Sequence, residues 1–296
     1  MPDATGGVFA QHTDMTIAGG PVRVYRSGDH GPAVLLLHGG ALDTAEGVWR
    51  SVAPTLARDY RVYAIDLPRH GASRPWRGNL DTDFFDTLIA ELLDALNLPR
   101  VAIVGLSLGG GIGIGFALNH PDRVSALVVI GPGGIGAKRR FHFFTWLVVH
   151  TPGLMRLSAK YYARSPKRLR KSLADSLTAG ADTPGFDAIV ASAIEEAKAK
   201  SRHGERVLDD WMINAVGPFR MRLDYTPEVS RLRVPSLWLR GERDSLVSHA
   251  DLAAAASAAP GSELATIPGA GHIATYDRPD EVSRLVGDFL SRTVEN

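Results

Sequence analysis

Residues 103–111 read IVGLSLGGG, an apolar run that ends on a single serine and a cluster of glycines. A serine inside a strand wastes buried surface, and consecutive glycines start a helix poorly. The pattern fits a sharp strand-to-helix turn built on Gly105-Leu106-Ser107-Leu108-Gly109. On such a turn the serine backbone is strained and its hydroxyl stands exposed. Glycine is needed on both sides, because a Cβ there would collide across so tight a bend. The following helix points its N-terminal N–H groups and partial positive charge at the hydroxyl, which favours a developing oxyanion.

A strand feeding a helix predicts a parallel sheet, and the rest of the chain follows that rhythm. Strands are expected at 33–37 (AVLLL), 61–65 (RVYAI), 101–106 (VAIVGL), 125–130 (SALVVI), 236–240 (SLWLR) and 263–267 (ELATI). Most lack polar alternation, as strands covered on both faces should. Phe85, Leu88, Ile89, Leu92, Leu93 and Leu96 recur at helical spacing, and a similar stripe runs from Pro279 to Leu290. The rhythm breaks between about 134 and 225, where aromatic and basic helical segments appear without a convincing strand. The reading is a core in two parts, 1–133 and 226–296, with a helical cap insertion at 134–225. The fold class is α/β, a mostly parallel doubly wound sheet.

The 296 residues suffice for a full core without cross-links, and the absence of cysteine excludes disulfides, thiolate metal sites and a cysteine nucleophile. A net charge of +1 gives no overall field to recruit nucleic acid or acidic membranes. The N-terminal residues lack a basic and apolar leader, and the longest lipophilic run, 143–149, is too short to span a bilayer. The expectation is a cytoplasmic protein that engages neither membrane nor nucleic acid, acts on a small molecule and needs no cofactor. The sequence does not set an oligomeric state.

A serine hydroxyl is a weak nucleophile and needs a base within hydrogen-bond reach, itself oriented by an acid. Asp244 follows the SLWLR strand in Gly241-Glu242-Arg243-Asp244, at the strand end where open α/β sheets bind ligands. His272 follows the ELATI strand in Pro268-Gly269-Ala270-Gly271-His272. The order serine, acid, histidine is the one such architectures use. With His38-Gly39-Gly40 after the first buried strand and Asp66–Ser73 (DLPRHGAS) after the next, these pieces resemble the α/β-hydrolases across nearly all of the chain outside the insertion. Arg69 departs from the pattern, since relatives often carry glycine there.

The resemblance implies roles. Ser107 attacks a substrate carbonyl, His272 takes its proton and passes it to the leaving group, and Asp244 holds the imidazole tautomer. The oxyanion is held by the backbone N–H of Leu108 and one from the HGG turn, Gly40 or Ala41. Ala41, Phe144, Trp146 and Ile273 are candidates for the substrate pocket, with Phe141 and Phe143 as further cap aromatics. Simple packing of cap on core would explain the aromatics as well.

Other residues compete for these roles. Asp66 also ends a strand, but it precedes the serine and enters a structural loop. His38 and His70 read as braces, His249 as the start of a helix, and His142, His150 and His203 lie in the insertion. No HExxH or comparable cluster suggests a metal. Gly131, Gly133 and Gly136 match G-x-G-x-x-G, yet no acid follows at the distance a ribose requires, so the stretch reads as the exit into the cap. The basic run at Lys160, Arg164, Lys167, Arg168, Arg170 and Lys171 is a solvated helix face, or the seat of an anionic substrate or an acidic carrier partner.

Ester, thioester or lactone hydrolysis through an acyl-enzyme is the first reading. Gly131-Pro132-Gly133-Gly134 also resembles the ring-cleavage C–C hydrolases, although Ile273 stands where many of those carry tryptophan. A non-catalytic ligand-binding member of the fold is the alternative from another class.

Overall fold

Along each buried strand, alternate side chains leave on opposite sides, and both sides here are apolar. Leu35 and Leu37 face one cluster, while Val34 and Leu36 face another. A sheet apolar on both faces must carry helices on both. The computed structural model, which describes residues 9–139 and 141–294, has that form.

The strands are β1 (His12–Ile17), β2 (Gly20–Ser27), β3 (Ala33–Leu37), β4 (Arg61–Ile65), β5 (Val101–Leu106), β6 (Val124–Ile130), β7 (Ser236–Gly241) and β8 (Ser262–Ile267). They form one eight-stranded sheet in the order β1-β2-β4-β3-β5-β6-β7-β8, antiparallel at β1/β2 and β2/β4 and parallel from β4 to β8. The helices of the first half are α1 (Ala45–Trp49), α2 (Ala53–Leu56), α3 (Thr82–Ala95) and α4 (Leu108–Asn119). Between β6 and β7 come α5 (His142–His150), α6 (Leu154–Arg164), α7 (Pro166–Ser176), α8 (Phe186–His203) and α9 (Asp210–Ala215). The chain closes with α10 (His249–Ala258), α11 (Ala274–Asp277) and α12 (Pro279–Thr293).

The six expected strands are present, and two more precede them. β1 is largely exposed, so its HTDMTI carries little apolar signal. In β2, Val22 and Val24 are buried while Arg23 and Tyr25 are only half-buried, the alternation of a strand near an edge. Ala18 and Gly19, at φ 49° and 81°, close the hairpin in the left-handed conformation that a two-residue turn demands. α3 buries Phe85, Leu88, Ile89, Leu92 and Leu93 of the stripe read from the sequence, with Leu96 half-buried at its C-cap, and its first turn is capped by the Asp81 carboxylate, which accepts from Phe84 N–H at 3.1 Å. No helix among the described residues is long and apolar enough to cross a membrane.

The turn between β5 and α4 governs this arrangement. A Cβ on Gly105 would meet the Gly109 carbonyl and lie 2.6 Å from the Gly110 nitrogen, and one on Gly109 would meet the Leu37 carbonyl. Gly287 in α12 has nothing within 4 Å of the same position. Gly109→Ala should therefore lower unfolding stability by about 1–3 kcal/mol or more, since backbone cannot yield as a side chain can. Gly287→Ala should raise it by about 0.5–1 kcal/mol through helix propensity. Urea denaturation of both variants checks the pair, and equal midpoints would refute the crowding argument.

Candidate active site

Ser107 occupies φ 51°, ψ −110°, a region that side-chain-bearing residues seldom adopt. Holding it there costs about 1–3 kcal/mol, so surrounding bonds must over-determine the turn. Ser107 N–H donates to Ile130 O at 2.9 Å, and Ser107 O accepts from Gly111 N–H at 3.0 Å and Gly133 N–H at 2.8 Å. Gly109 N–H donates to His38 O at 3.1 Å, tying α4 to the HGG turn. Leu108 opens α4, where a backbone N–H has no partner inside the helix.

Three strand ends bring the expected trio together. Ser107 Oγ lies 3.0 Å from His272 Nε2, and His272 Nδ1 lies 2.9 Å from Asp244 Oδ2. A carboxylate only accepts, so Nδ1 carries the proton and Nε2 is left to accept from the hydroxyl. The other Asp244 oxygen accepts from Leu246 N–H at 2.8 Å and Val247 N–H at 3.0 Å. Burial pushes the Asp244 carboxyl up, but the hydrogen bond and charge of His272 and those two N–H groups outweigh it and leave it below its ordinary value. Gly131, at φ 49°, packs against the pair; a Cβ there would stand 2.9 Å from Asp244 Oδ2 and 3.2 Å from His272 Nδ1. Asp277 braces the histidine loop, its carboxylate accepting from Gly271 N–H at 2.7 Å and Thr178 N–H at 2.8 Å.

The rival residues have other employment. The Asp66 carboxyl accepts from Ala45 N–H, Ala72 N–H and the Tyr25 hydroxyl. His38 is fully buried; its Nε2 accepts from Leu67 N–H at 2.9 Å, so its other nitrogen donates to Gly39 O at 2.6 Å. Burial, then the nearby His70, holds His38 well below its ordinary value. His70 bridges Asp43 O at 2.7 Å and Asp209 Oδ1 at 2.9 Å. His249 opens α10. Arg69 sits at φ 66°, a conformation suited to glycine, and its guanidinium donates to Asp210 at 2.7 Å.

Around the HGG turn the contacts differ from those expected. The Cβ position of Gly40 lies 2.5 Å from Met212 Sδ, 3.1 Å from Asp209 Oδ2 and 3.6 Å from Leu108 Cδ2. Absence of a side chain at 40 thus leaves room for α9 to approach. Asp209 Oδ2 is buried without a hydrogen-bond partner among the described residues. Asp43 fills the corresponding space beside Gly39, next to Ser107. Burial raises its carboxyl to about 7, with His70 and His272 pulling the other way. Of the expected pocket residues, Phe144 stands 65% exposed on α5. Trp146 packs with Ala215, Val216 and Met221, Ala41 with Met155 and Ile213, and Ile273 joins the core cluster that holds Val34 and Leu36. Met212, Asp209 and Asp43 were not singled out from sequence. For Met212 and Asp209 the signal was the Asp-Asp-Trp-Met run that opens α9, which reads equally as a capped amphipathic helix.

Charged side chains join α8 and α9 to the loop after β4. Arg74 bonds Glu196 at 2.6 Å and Glu205 at 2.9 Å, and the fully buried Lys200 donates to Arg69 O at 3.2 Å. Gly71 N–H donates to Glu196 at 3.0 Å.

A family model for the alpha/beta hydrolase fold matches residues 32–279. A 2-hydroxy-6-oxo-6-(2'-aminophenyl)hexa-2,4-dienoic acid hydrolase of Metapseudomonas resinovorans is 28% identical, over 94% of this chain and 90% of that protein. A pimeloyl-[acyl-carrier protein] methyl ester esterase of Xanthomonas axonopodis pv. citri is 29% identical, over 88% and 96%. Among solved structures, a carboxylesterase of Bacillus subtilis superposes with a TM-score of 0.74 at 20% identity, covering 98% of this chain and 95% of its own, which speaks to the fold. The chain belongs to the α/β-hydrolase fold family.

Proposed function

We propose that this protein is a serine hydrolase that cleaves a carboxylic ester, thioester or lactone through an acyl-enzyme. The observation that carries the reading is the unbroken line Ser107–His272–Asp244, at 3.0 Å and 2.9 Å. Ser107 attacks the carbonyl as its proton passes to His272 Nε2, and Asp244 steadies the imidazolium. His272 then protonates the leaving oxygen or sulfur. Water repeats the sequence on the acyl-enzyme and frees the acid. The N–H groups of Leu108 and Gly40 hold the oxyanion, each worth about 3–4 kcal/mol in the transition state. Helices α5 to α9 act as the cap, with Met212 bounding the pocket at Gly40.

A second reading, hydrolysis of a C–C bond in a dienoic keto acid, draws on the Metapseudomonas relative. Its substrate carries a carboxylate. The nearest groups beside Gly39 and Gly40 include Asp43, Asp209 and Met212, and the cations behind them, His70 and Lys200, already face Asp209. Asp209 is held ionised: burial opposes this, but the charges of His70 and Lys200 outweigh it. This local charge ranks the ester, thioester and lactone reading first.

A panel of nitrophenyl esters and lactones, run beside a dienoic keto acid, tests the ranking. Ser107→Ala and Asp244→Asn should each lower kcat on the best substrate by about 10⁴-fold or more. A fluorophosphonate probe should label the wild type at Ser107 alone. Wild-type turnover by Ser107→Ala would end the assignment, and turnover confined to the keto acid would reverse the ranking.

Asp43 adds a pH dependence. Its carboxyl, raised to about 7, is neutral below that pH and becomes an anion beside the oxyanion turn above it. That charge opposes the developing oxyanion, so kcat/KM should fall as pH rises through about 7. Asp43→Asn should remove the fall while leaving the acid limb in place. An unchanged alkaline limb in the variant's profile would exclude Asp43 as its source.

A further inference from the structure

Helix α5, His142–His150, contains no Asp, Glu, Lys or Arg, yet it lies at the surface. Its inner side is used: His142 is buried and its Nε2 donates to Gly217 O at 2.9 Å, and Trp146 packs in a small apolar cluster. Its outer side presents Phe143, Phe144 and Leu147, a spacing that puts all three on one face. They are 53%, 65% and 47% exposed. Phe219, from the loop after α9, is 74% exposed and stacks on Phe143 with ring centroids 6.2 Å apart. Single exposed apolar residues are ordinary, but a contiguous aromatic patch marks a surface that something covers.

The charge around this helix names the partner. Between Asp122 and Asp175 the sequence holds no acidic residue and eleven Lys and Arg. The rest of the chain then carries 22 basic against 32 acidic residues, so the overall +1 conceals a strongly basic segment in a net acidic protein. Lys138 stands exposed just ahead of α5, and Arg156, Lys160 and Arg164 are exposed on α6. Among the described residues, Lys138, Lys160 and Arg164 make no ion pair, whereas Arg170 and Lys171 further on are paired with Asp187 and Asp175.

We propose that α5, with its basic flanks, is a docking surface for an anionic phospholipid bilayer, into which Phe143, Phe144, Leu147 and Phe219 insert. An apolar helix face with exposed Lys and Arg on the segments before and after it meets both needs of an anionic interface, since the rings enter the acyl boundary while the cations stay at the phosphates. A protein partner fits less well. Protein interfaces carry about one hydrogen bond per 100–200 Å², and the outer face of α5 offers almost no donor or acceptor. Overall charge had argued against membrane contact; its uneven distribution reverses that expectation for a protein lying on a bilayer rather than spanning it. The surface is independent of the chemistry at Ser107.

Flotation of the full chain with extruded vesicles tests the assignment. Vesicles of phosphatidylcholine mixed with phosphatidylglycerol should carry the protein at low salt, pure phosphatidylcholine should carry much less, and high salt should weaken the binding. Phe143→Ser/Phe144→Ser/Leu147→Ser should lower the partition coefficient at least about tenfold, because buried apolar area sets the insertion term. Lys138→Glu/Lys160→Glu should lower it by a similar factor on the mixed vesicles alone, and this second variant keeps the test intact if the first fails to fold. Thermal melting and nitrophenyl-ester turnover should match wild type in both, and Ser107→Ala should float as wild type does. Absence of flotation, equal flotation with pure phosphatidylcholine, or undiminished binding by the variants would overturn the proposal. So would a dimer in sedimentation velocity that the triple variant abolishes without any vesicle binding, since that assigns the face to a second copy.

Discussion

Everything at the candidate site depends on one strained residue. Ser107 at φ 51° is unfavourable by itself, and the chain holds it by closing every route of escape. Its N–H is bound to β6, its carbonyl accepts from α4 and from the loop after β6, and Gly109 ties the helix start back to His38. Each bond needs a backbone approach that a side chain would block. This is why glycine stands at 105 and 109, and why Gly131 can lie against Asp244 and His272. The hydroxyl is aimed by the backbone of three neighbouring elements, so aim and fold cannot be separated.

The parallel run from β4 to β8 does the rest. In a parallel sheet all the strands end on the same rim, so loops after β5, β7 and β8 can meet although residues 107, 244 and 272 are far apart in sequence. The meeting is then trimmed by second partners. Leu246 and Val247 fix one oxygen of Asp244, and Asp277 pins Gly271 immediately before the histidine. Because Asp277 also accepts from Thr178 beyond α7, the histidine loop and the helical segment share a carboxylate.

What could be read from the sequence follows from how locally each feature is determined. Buried parallel strands are apolar at nearly every position, so β3 to β7 stand out without a structure. β1 does not, because an exposed edge strand such as HTDMTI is held by its partner's backbone and has no composition of its own. The trio was legible because strand ends and small-residue turns bracket each member. The surroundings of Gly40 and the rotation of α5 were not. Phe144 and Trp146 are bulky, apolar and in the right segment, yet the rotation of α5 turns one to solvent and the other into a side cluster. Met212 and Asp209 reach Gly40 only because α9 approaches closely, and that approach is set by contacts between residues more than a hundred positions apart.

Those contacts are mostly charged, and their chemistry explains the placement of α9. An apolar seam between the β4 loop and α8–α9 would bury area in many registers, since dispersion and hydrophobic contact have little direction. The actual seam sets Arg74 between Glu196 and Glu205, Arg69 on Asp210, and His70 on Asp209. Burying such groups contributes little net stability, because desolvation offsets most of the attraction. It does penalise displacement: a shift of one turn along α8 would strand carboxylates and a fully buried Lys200 without partners, at several kcal/mol per ion. The seam therefore acts on position more than on stability. It holds Asp209 by one oxygen and leaves the other, unpaired, facing Gly40. The position of α9 against Gly40 is thus set by an electrostatic register on the far side of the loop that carries His70.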